Sequence, residues 1–171
     1  MHHEEVFMSL TKYLLTAGSV AIALSLGAGC SGKKVQEESD NASFASIDEN
    51  AQGDSDSGNA MGLRTINFEY DSYALTPEAR SGLDNNADIL KGSSTVRVQI
   101  EGHCDERGSI QYNLALGEKR AEAVKRYMID RGVSGDRIST ISFGEERPID
   151  PASNERAWAK NRRANFAVTG K

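Results

Sequence analysis

Residues 100–121 read IEGHCDERGSIQYNLALGEKRA, and the rest of the chain is organised around this stretch. The residues that lead into it, TVRVQI at 95–100, alternate apolar and polar side chains, which is typical of a half-buried β-strand. Gly102 and Gly108 then frame a loop, because glycine tolerates backbone angles that other residues avoid. An amphipathic segment follows with Asn113 as its candidate N-cap, so the stretch predicts a strand, a loop and a long helix.

Arg120 lies in the apolar stripe of this predicted helix, four residues after Leu116 and four before Val124. A buried guanidinium needs an anion, because a dry and unpaired charge is very unfavourable. The nearest candidate is Asp105, on the loop that leads into the helix. The sequence therefore predicts a carboxylate and a guanidinium that face each other and form a receptor for a small charged group. A purely structural ion pair is the alternative.

The same reasoning predicts seven elements along the chain. The first helix is delimited by Thr76 as its N-cap, Pro77 at its first position and Gly92 at its end. The order of elements predicts an α+β fold, in which one mixed four-stranded sheet has helices packed on one face. The predicted strands are Arg64–Phe68, Thr95–Glu101, Ile138–Phe143 and Arg163–Thr169, and the later helices are Leu114–Arg131 and a short one after Ser153.

Three separated motifs resemble the signature of OmpA-like peptidoglycan-binding domains. They are GHCDERG at 102–108, YNLALGEKRA at 112–121 and NRR at 161–163. They occur in the expected order, and DERG followed by LG is most similar to the peptidoglycan-associated lipoproteins of Gram-negative outer membranes. The resemblance covers about residues 66–168 and implies the βαβαβ-β fold of that family.

The resemblance also implies a ligand. In the family, the residues that match Asp105 and Arg120 bind the diaminopimelate residue of the peptidoglycan stem peptide. The far end of this amino acid is zwitterionic, so Arg120 would bind its carboxylate and Asp105 its ammonium. The complete candidate ligand-binding set is Asp71, Ser72, Tyr73, Gly102, His103, Asp105, Arg107, Leu116, Arg120, Asn161 and Arg162.

Several members of this set have a plain structural alternative. Asp71 and its neighbours could form only the turn that leads into the first helix, and Arg107 could lie in solvent. His103 and Cys104 suggest a metal site or a nucleophile pair, but adjacent side chains do not easily converge on one ion and tend to point apart. His103 is instead expected to organise the loop by hydrogen bonding, and neither a metal nor another cofactor is expected.

The N-terminal region has the features of a targeting segment. An apolar run at 14–28, rich in small residues and short for a membrane span of about 20 residues, is typical of a secretory signal peptide. We predict a signal peptide at 1–29 with its start at Met8. The following LGAGC at 26–30 resembles a lipobox, which implies lipidation of Cys30. In the family, Ser31 after this cysteine implies export to the outer membrane, where the protein would face the periplasm.

Residues 31–62 are predicted to be a disordered tether. They carry two lysines against seven acidic residues and few apolar side chains, so they cannot bury a core. The predicted domain at 63–171 is close to neutral, with 17 Lys and Arg against 16 Asp and Glu. The sequence has no basic stripe with interleaved aromatic residues, so it does not indicate a nucleic-acid partner.

The family resemblance therefore implies a protein that binds the cell wall noncovalently and is not an enzyme. The family resemblance implies peptidoglycan, the outer membrane, and the periplasmic propeller protein and other components of the Tol-Pal system as its partners. The alternatives are a peptidoglycan hydrolase and an OmpA-like wall-binding protein outside the Tol-Pal system. A hydrolase would need a nucleophile with a base, a zinc triad or a pair of catalytic carboxylates.

Overall fold

The computed structural model describes residues 53–170, which form four β-strands and three α-helices. The elements are β1 (Ile66–Asn67), α1 (Pro77–Gly92), β2 (Arg97–His103), α2 (Ile110–Asp130), β3 (Ile138–Gly144), α3 (Glu155–Asn161) and β4 (Arg163–Gly170). A short 3-10 turn at Gly135–Arg137 leads into β3.

The four strands form one mixed sheet in the order β1-β4-β2-β3. β2 is parallel to β3 and antiparallel to β4, so that Ile100 lies opposite Thr140 on one side and Phe166 on the other. β1 is antiparallel to β4 and forms an edge of the sheet. This topology confirms the predicted α+β class and mixed four-stranded sheet.

The core lies between the two long helices and one face of the sheet. α1 and α2 direct apolar side chains onto the alternate residues of β2 and β4 that point the same way. Each of these large side chains contributes about 1.5–3 kcal/mol when it is withdrawn from water. The side chains at the centre of the core, all at most 1% exposed, are Leu83, Leu90, Val98, Ile100, Val124, Met128, Phe166 and Val168.

α1 begins where the sequence predicts. The side-chain oxygen of Thr76 accepts a hydrogen bond from the backbone N–H of Ala79 at 3.1 Å, and Pro77 occupies the first helical position. The helix ends at Gly92. Local chemistry alone therefore delimits this element.

α2 begins four residues before the predicted start, and Asn113 is not its cap. The N-cap is Ser109, whose hydroxyl accepts a hydrogen bond from the backbone N–H of Tyr112 at 3.2 Å. The buried amide of Asn113 donates to the carbonyl oxygens of Asp105 at 3.2 Å and Arg107 at 3.3 Å. The prediction was wrong because Ser109 and Asn113 are both good caps, and the side chain of Asn113 binds the loop carbonyls instead.

β2 and α2 meet at a contact between two glycines. A Cβ on Gly102 would lie only 1.9 Å from the carbonyl oxygen of Gly117, and a Cβ on Gly117 would lie 2.3 Å from the hydroxyl of Ser142. Only glycine permits this approach of strand and helix. The contact brings Arg120, one turn further along α2, against the loop that follows β2.

The folded region includes residues 53–62, so the predicted boundary at residue 63 is too late. The backbone N–H of Ser55 donates to the carbonyl oxygen of Phe166 at 3.0 Å, and Asp54 forms an antiparallel bridge with Ala167. The carboxylate of Asp56 lies 2.6 Å from Nε of Arg163, and Ala60 is fully buried. The polar composition was misleading because these side chains bond to polar groups of β4.

The remaining N-terminal predictions concern residues outside the described range. They are the signal peptide, the lipidation of Cys30 and the tether up to residue 52. From residue 53 to 170, no helix is both long enough and apolar enough to cross a membrane.

Candidate functional site

A pocket of about 250 Å³ lies where the loop after β1, the loop after β2 and the first turns of α2 meet. Aromatic and charged side chains dominate its walls. They are Tyr70, Asp71, Cys104, Asp105, Arg107, Gly108, Tyr112, Asn113, Leu116, Arg120 and Arg162.

The structure brings together six of the eleven predicted ligand-binding residues in this lining. These six are Asp71, Asp105, Arg107, Leu116, Arg120 and Arg162. The other five, Ser72, Tyr73, Gly102, His103 and Asn161, do not line it.

Arg120 is the most deeply placed cation of the pocket, with 1% of its surface exposed. Its guanidinium donates to the carbonyl oxygens of Ser72 at 2.9 Å, His103 at 2.8 Å and Glu69 at 3.2 Å. These bonds hold the two pocket loops against α2. They also leave at least one of the five guanidinium N–H groups available.

The charge of Arg120 has no carboxylate partner within the described part of the chain. All its hydrogen-bond acceptors there are neutral, namely three carbonyl oxygens and the sulfur of Cys104 at 3.4 Å. Burial lowers the pKa of Arg120 because it disfavours the charged form. The carboxylates of Asp105 and Asp71 offset this effect only in part, so an anion brought into the pocket would relieve the remaining electrostatic penalty.

Asp105 does not pair with Arg120, so the predicted ion pair is wrong. Its carboxylate accepts hydrogen bonds from Nη2 of Arg107 at 2.7 Å, Nε of Arg107 at 3.1 Å and Nη1 of Arg162 at 3.2 Å. Burial would raise the pKa of Asp105, but these bonds outweigh it and hold the pKa below its ordinary value. The two predicted residues line the same pocket but form no ion pair with each other.

The pocket lining is net positive. Arg107, Arg120 and Arg162 outnumber Asp71 and Asp105. Asp71 lies in the outer part with a φ of 51°, and the phenolic hydroxyl of Tyr112 donates to one of its carboxylate oxygens. The pocket therefore combines an unpaired buried cation with an exposed carboxylate, an arrangement suited to a zwitterion whose anionic group enters first.

Arg107 stacks on two aromatic rings. Its Cζ is 4.0 Å from the ring centroid of Tyr70 and 4.1 Å from that of Trp158. Trp158 is held in place by a hydrogen bond from its Nε1 to the carboxylate of Glu106 at 3.1 Å. Stacking of this kind contributes about 0.5–2 kcal/mol per ring, depending on exposure.

Two of the predicted residues outside the lining act on the pocket through the backbone. Ser72 contributes only its carbonyl oxygen, which binds Arg120, and Gly102 provides the close approach of β2 to α2. Tyr73 is exposed, and its ring centroid lies 5.7 Å from Nζ of Lys119.

The other two have different structural roles. Asn161 accepts hydrogen bonds from the backbone N–H groups of Ile149 and Asp150 at 3.0 and 3.1 Å and so orders the loop before α3. His103 is buried and stacks on Phe143 with a centroid distance of 5.5 Å. Its Nε2 faces the carboxylate of Glu101 at 3.6 Å, slightly longer than a hydrogen bond, so its predicted hydrogen-bonding role stays a prediction. Burial lowers the pKa of His103.

Five residues of the lining were not in the predicted set: Tyr70, Cys104, Gly108, Tyr112 and Asn113. The serine cap at 109 was the available signal, because it places Tyr112 and Asn113 in the first turn of α2 beside the loop. The thiol of Cys104 is 3.3 Å from the carbonyl oxygen of Asn113, and burial raises its pKa to about 11. Cys104 is therefore a protonated thiol in the pocket wall.

A larger groove of about 950 Å³ runs between β1 and the first turns of α1. The buried cation on its border is Arg162, which is already paired with Asp105 and Glu155 at 3.2 and 2.8 Å. The smaller pocket is the better candidate because its most buried cation, Arg120, forms no ion pair with a carboxylate in the described residues. In the described range, no three potential ligands are grouped so that they could hold a metal ion.

Comparison with known proteins assigns the fold to a family. The sequence profile of the OmpA family matches residues 67–162. The chain is also 42% identical over 158 residues to the peptidoglycan-associated lipoprotein of Pseudomonas aeruginosa, covering 86% of this chain and 93% of that protein.

The chain belongs to the OmpA family, in its peptidoglycan-associated lipoprotein branch.

A second relative within this branch is the peptidoglycan-associated lipoprotein of Pasteurella multocida, with 40% identity over 92% of this chain and 97% of the relative. The crystal structure of the peptidoglycan-associated lipoprotein from Burkholderia pseudomallei is 39% identical, with a TM-score of 0.60 over 61% of this chain and 89% of that one. The OmpA match at 67–162 includes every residue of the pocket lining, whereas the ordered residues 53–66 lie outside it.

Proposed function

We propose that the protein binds peptidoglycan noncovalently through the diaminopimelate residue of the stem peptide and so ties the outer membrane to the cell wall. The observation that carries the proposal is the buried guanidinium of Arg120, which lacks a carboxylate partner in the described residues and lines a pocket with an exposed carboxylate. The names of the relatives, peptidoglycan-associated lipoproteins, support the same ligand.

The chemistry of diaminopimelate fits these two charges. Its side-chain carboxylate would bind Arg120, and its side-chain ammonium would bind the carboxylates of Asp71 and Asp105. A hydrogen bond to a charged group contributes about 1.5–3 kcal/mol, which corresponds to roughly one to two powers of ten in affinity. A stem peptide with lysine in place of diaminopimelate has the ammonium but not the carboxylate, so it would leave Arg120 uncompensated and bind more weakly.

The test modifies the ligand, so that the folding of a variant cannot confuse the result. Sacculi with free diaminopimelate carboxylates and sacculi with amidated ones are incubated with the protein and sedimented. We expect amidation to reduce co-sedimentation about tenfold or more, because it removes the anion for Arg120. Equal co-sedimentation would exclude Arg120 as the carboxylate site.

The anchoring part of the proposal rests on the N-terminal sequence. Cleavage before Cys30 and its acylation would hold the protein in the outer membrane, with its domain on the periplasmic side. The mass of the mature N-terminus tests this directly. A Cys30→Ala variant should move from the membrane fraction to the soluble periplasmic fraction, and its retention in the membrane would contradict a lipid anchor.

Membership of the branch also leads us to propose a place in the Tol-Pal system. The partners would be the periplasmic propeller protein and other Tol components, with a role in envelope integrity and cell division. Affinity purification of the protein from cells treated with a crosslinker should recover the propeller protein. If it recovers none, the protein would instead be a wall-binding member of the family outside that system.

We further propose that binding causes no covalent change in the wall. The pocket chemistry described above is that of ion pairing, and the names of the relatives describe association and not hydrolysis. Incubation of sacculi with the protein should release no soluble fragments. Release of muropeptides would instead support the hydrolase alternative.

A further inference from the structure

Arg107 fills a cation-binding site that four other side chains build. The ring centroids of Tyr70 and Trp158 lie 4.0 and 4.1 Å from Cζ of its guanidinium. The carboxylate of Asp105 is 2.7 Å from its Nη2, and that of Glu155 is 3.5 Å from its Nη1. Two aromatic faces and two carboxylates form a general receptor for a cation, and guanidinium and ammonium groups both fit this chemistry.

Asp105 has no acceptor capacity left while Arg107 is in place. Arg107 donates three hydrogen bonds to the carboxylate, from Nε, Nη2 and its own backbone N–H, and Arg162 donates a fourth at 3.2 Å. A carboxylate offers about four lone-pair positions. A ligand ammonium cannot be added to this arrangement, and it can bind Asp105 only by replacing one of the two guanidinium groups.

Arg107 is the arginine that can be replaced. Its side chain is 28% exposed, and it lies on a loop beside Gly108, whose φ is 123°. The side chain of Arg162 is only 6% exposed and also binds the carbonyl oxygen of Phe68 at 3.1 Å. Arg107 can therefore swing into water without disturbing the core, whereas Arg162 cannot.

We propose that Arg107 is a built-in competitor, which occupies the Tyr70, Trp158, Asp105 and Glu155 site in the free protein and leaves it when a ligand ammonium binds. The inference rests on the proposed binding of a zwitterionic ligand and adds how that same site is regulated. Binding exchanges one cation for another, so only a ligand with a free ammonium releases Arg107. This exchange makes the pocket selective for the zwitterion and keeps the affinity moderate.

The first experiment compares Arg107→Ala with Arg131→Ala in the whole chain. Arg131 is a matched control, because it also stacks on a tyrosine, Tyr127 at 4.9 Å, and pairs with Asp84 at 3.0 Å, but lies outside the pocket. Calorimetry measures binding of the tripeptide L-Ala-γ-D-Glu-meso-diaminopimelate and of the same peptide with its side-chain amine acetylated.

The expected result is an increase in affinity that requires the amine. Arg107→Ala should bind the free-amine peptide up to about fivefold more tightly than the unmodified chain, which is the effect of removing a partly exposed competing ion pair. The acetylated peptide should gain nothing, and Arg131→Ala should match the unmodified chain. Weaker or unchanged binding of the free-amine peptide by Arg107→Ala would overturn the proposal, because a competitor cannot be removed without a gain.

A second experiment does not depend on the wall ligand. Methylguanidinium alone should bind Arg107→Ala in the emptied site and should not bind the unmodified chain. Trp158 is the only tryptophan of the chain, so its fluorescence reports occupation of the site. Absence of a fluorescence response in Arg107→Ala would overturn the cation site itself. A positive response together with no tripeptide binding by any form would reject the proposed function and keep the site.

Discussion

Two buried arginines in this molecule have opposite surroundings. Arg163, at the start of β4, is 3% exposed and pairs with the carboxylate of Asp56 at 2.6 Å. Arg120, on α2, is 1% exposed and binds only neutral acceptors in the described part of the chain. The fold therefore pairs Arg163 with a carboxylate of its own, whereas among the described residues it gives Arg120 only neutral hydrogen-bond acceptors.

The difference shows how to separate a structural charge from a binding charge. Burial alone does not do so, because both arginines are buried. The informative feature is whether a counter-charge comes from the chain itself, and whether the guanidinium reaches a pocket. Arg163 joins the ordered N-terminal segment to the sheet, whereas Arg120 lies in the wall of a 250 Å³ pocket. The following predictions test this distinction.

The largest effect is expected when the backbone geometry behind Arg120 is broken. Gly102→Ala places a methyl group 1.9 Å from the carbonyl oxygen of Gly117, so strand and helix must separate. We expect a loss of about 4 kcal/mol or more in the free energy of unfolding, in the range of the most damaging single substitutions. Chemical denaturation measures it.

Gly92→Ala is the matched control for this substitution, because a Cβ at Gly92 meets nothing within 4 Å. It should leave the midpoint of unfolding within the range of ordinary surface changes. Equal midpoints for the two variants would show that the fold tolerates a Cβ at the contact of β2 with α2.

The next effect concerns the paired arginine. Arg163→Gln leaves the carboxylate of Asp56 without its cation, and we expect the free energy of unfolding to fall by about 3 kcal/mol. Binding to sacculi by the folded protein should not change, because Arg163 is outside the pocket lining. A double variant with Asp56→Asn should recover part of the stability. A loss of binding with unchanged stability would reverse the roles given to the two arginines.

Arg120→Gln, unlike Arg163→Gln, should weaken binding, and it should also lower stability because the guanidinium holds both pocket loops. The affinity for the diaminopimelate tripeptide should fall about ten- to a hundredfold, which corresponds to one lost charge-assisted hydrogen bond. Arg163→Gln is measured beside it at a temperature where both variants are folded. An Arg120→Gln protein that binds like the parent chain would mean that the pocket does not use its buried cation.

The exposed carboxylate should have a smaller effect. Asp71→Asn keeps the size of the side chain and its contact with Tyr112 but removes the charge that we assign to the ligand ammonium. A solvent-exposed ion pair contributes about 0.2–1 kcal/mol, so affinity should fall up to about fivefold, and less at high salt. Calorimetry at two salt concentrations measures both quantities. A salt-independent loss would indicate a structural role for Asp71.

The smallest effect on stability is expected from a buried group outside the pocket, His103. Its folded-state pKa is lowered, so below about pH 6.5 the unfolded chain takes up a proton that the folded protein does not. Stability should therefore decrease as the pH falls from 7.5 to 5.5, with a slope of at most about 1.4 kcal/mol per pH unit.

His103→Asn should remove most of this slope, whatever its effect on absolute stability. The interval lies above the ordinary carboxyl range, and His103 is the only histidine between residues 53 and 170. Denaturant titrations at several pH values would measure the slope. Parallel pH profiles for the variant and the parent chain would exclude His103 as their source.

Local patterns in the sequence predicted much of the fold, and the errors of that prediction have identifiable causes. Thr76 and Pro77 defined the start of α1 because a capping oxygen and a fixed φ act within a few residues. The start of α2 was misplaced because Ser109 and Asn113 are both good caps, and only the loop carbonyls decide between them. The tether was extended to residue 62 because composition does not show that β4 offers polar partners to residues 54–56.

The site shows the same division between what local patterns predict and what tertiary contacts decide. The sequence by itself determined that α2 carries an arginine in its apolar stripe, that a carboxylate precedes it on a glycine-framed loop, and that both belong to one motif. Only the tertiary structure decided their partners: Asp105 binds Arg107 and Arg162, whereas Arg120 binds backbone carbonyls. The physical reason is that spacing determines the face on which a side chain lies, but hydrogen-bond partners depend on segments brought together from distant parts of the chain.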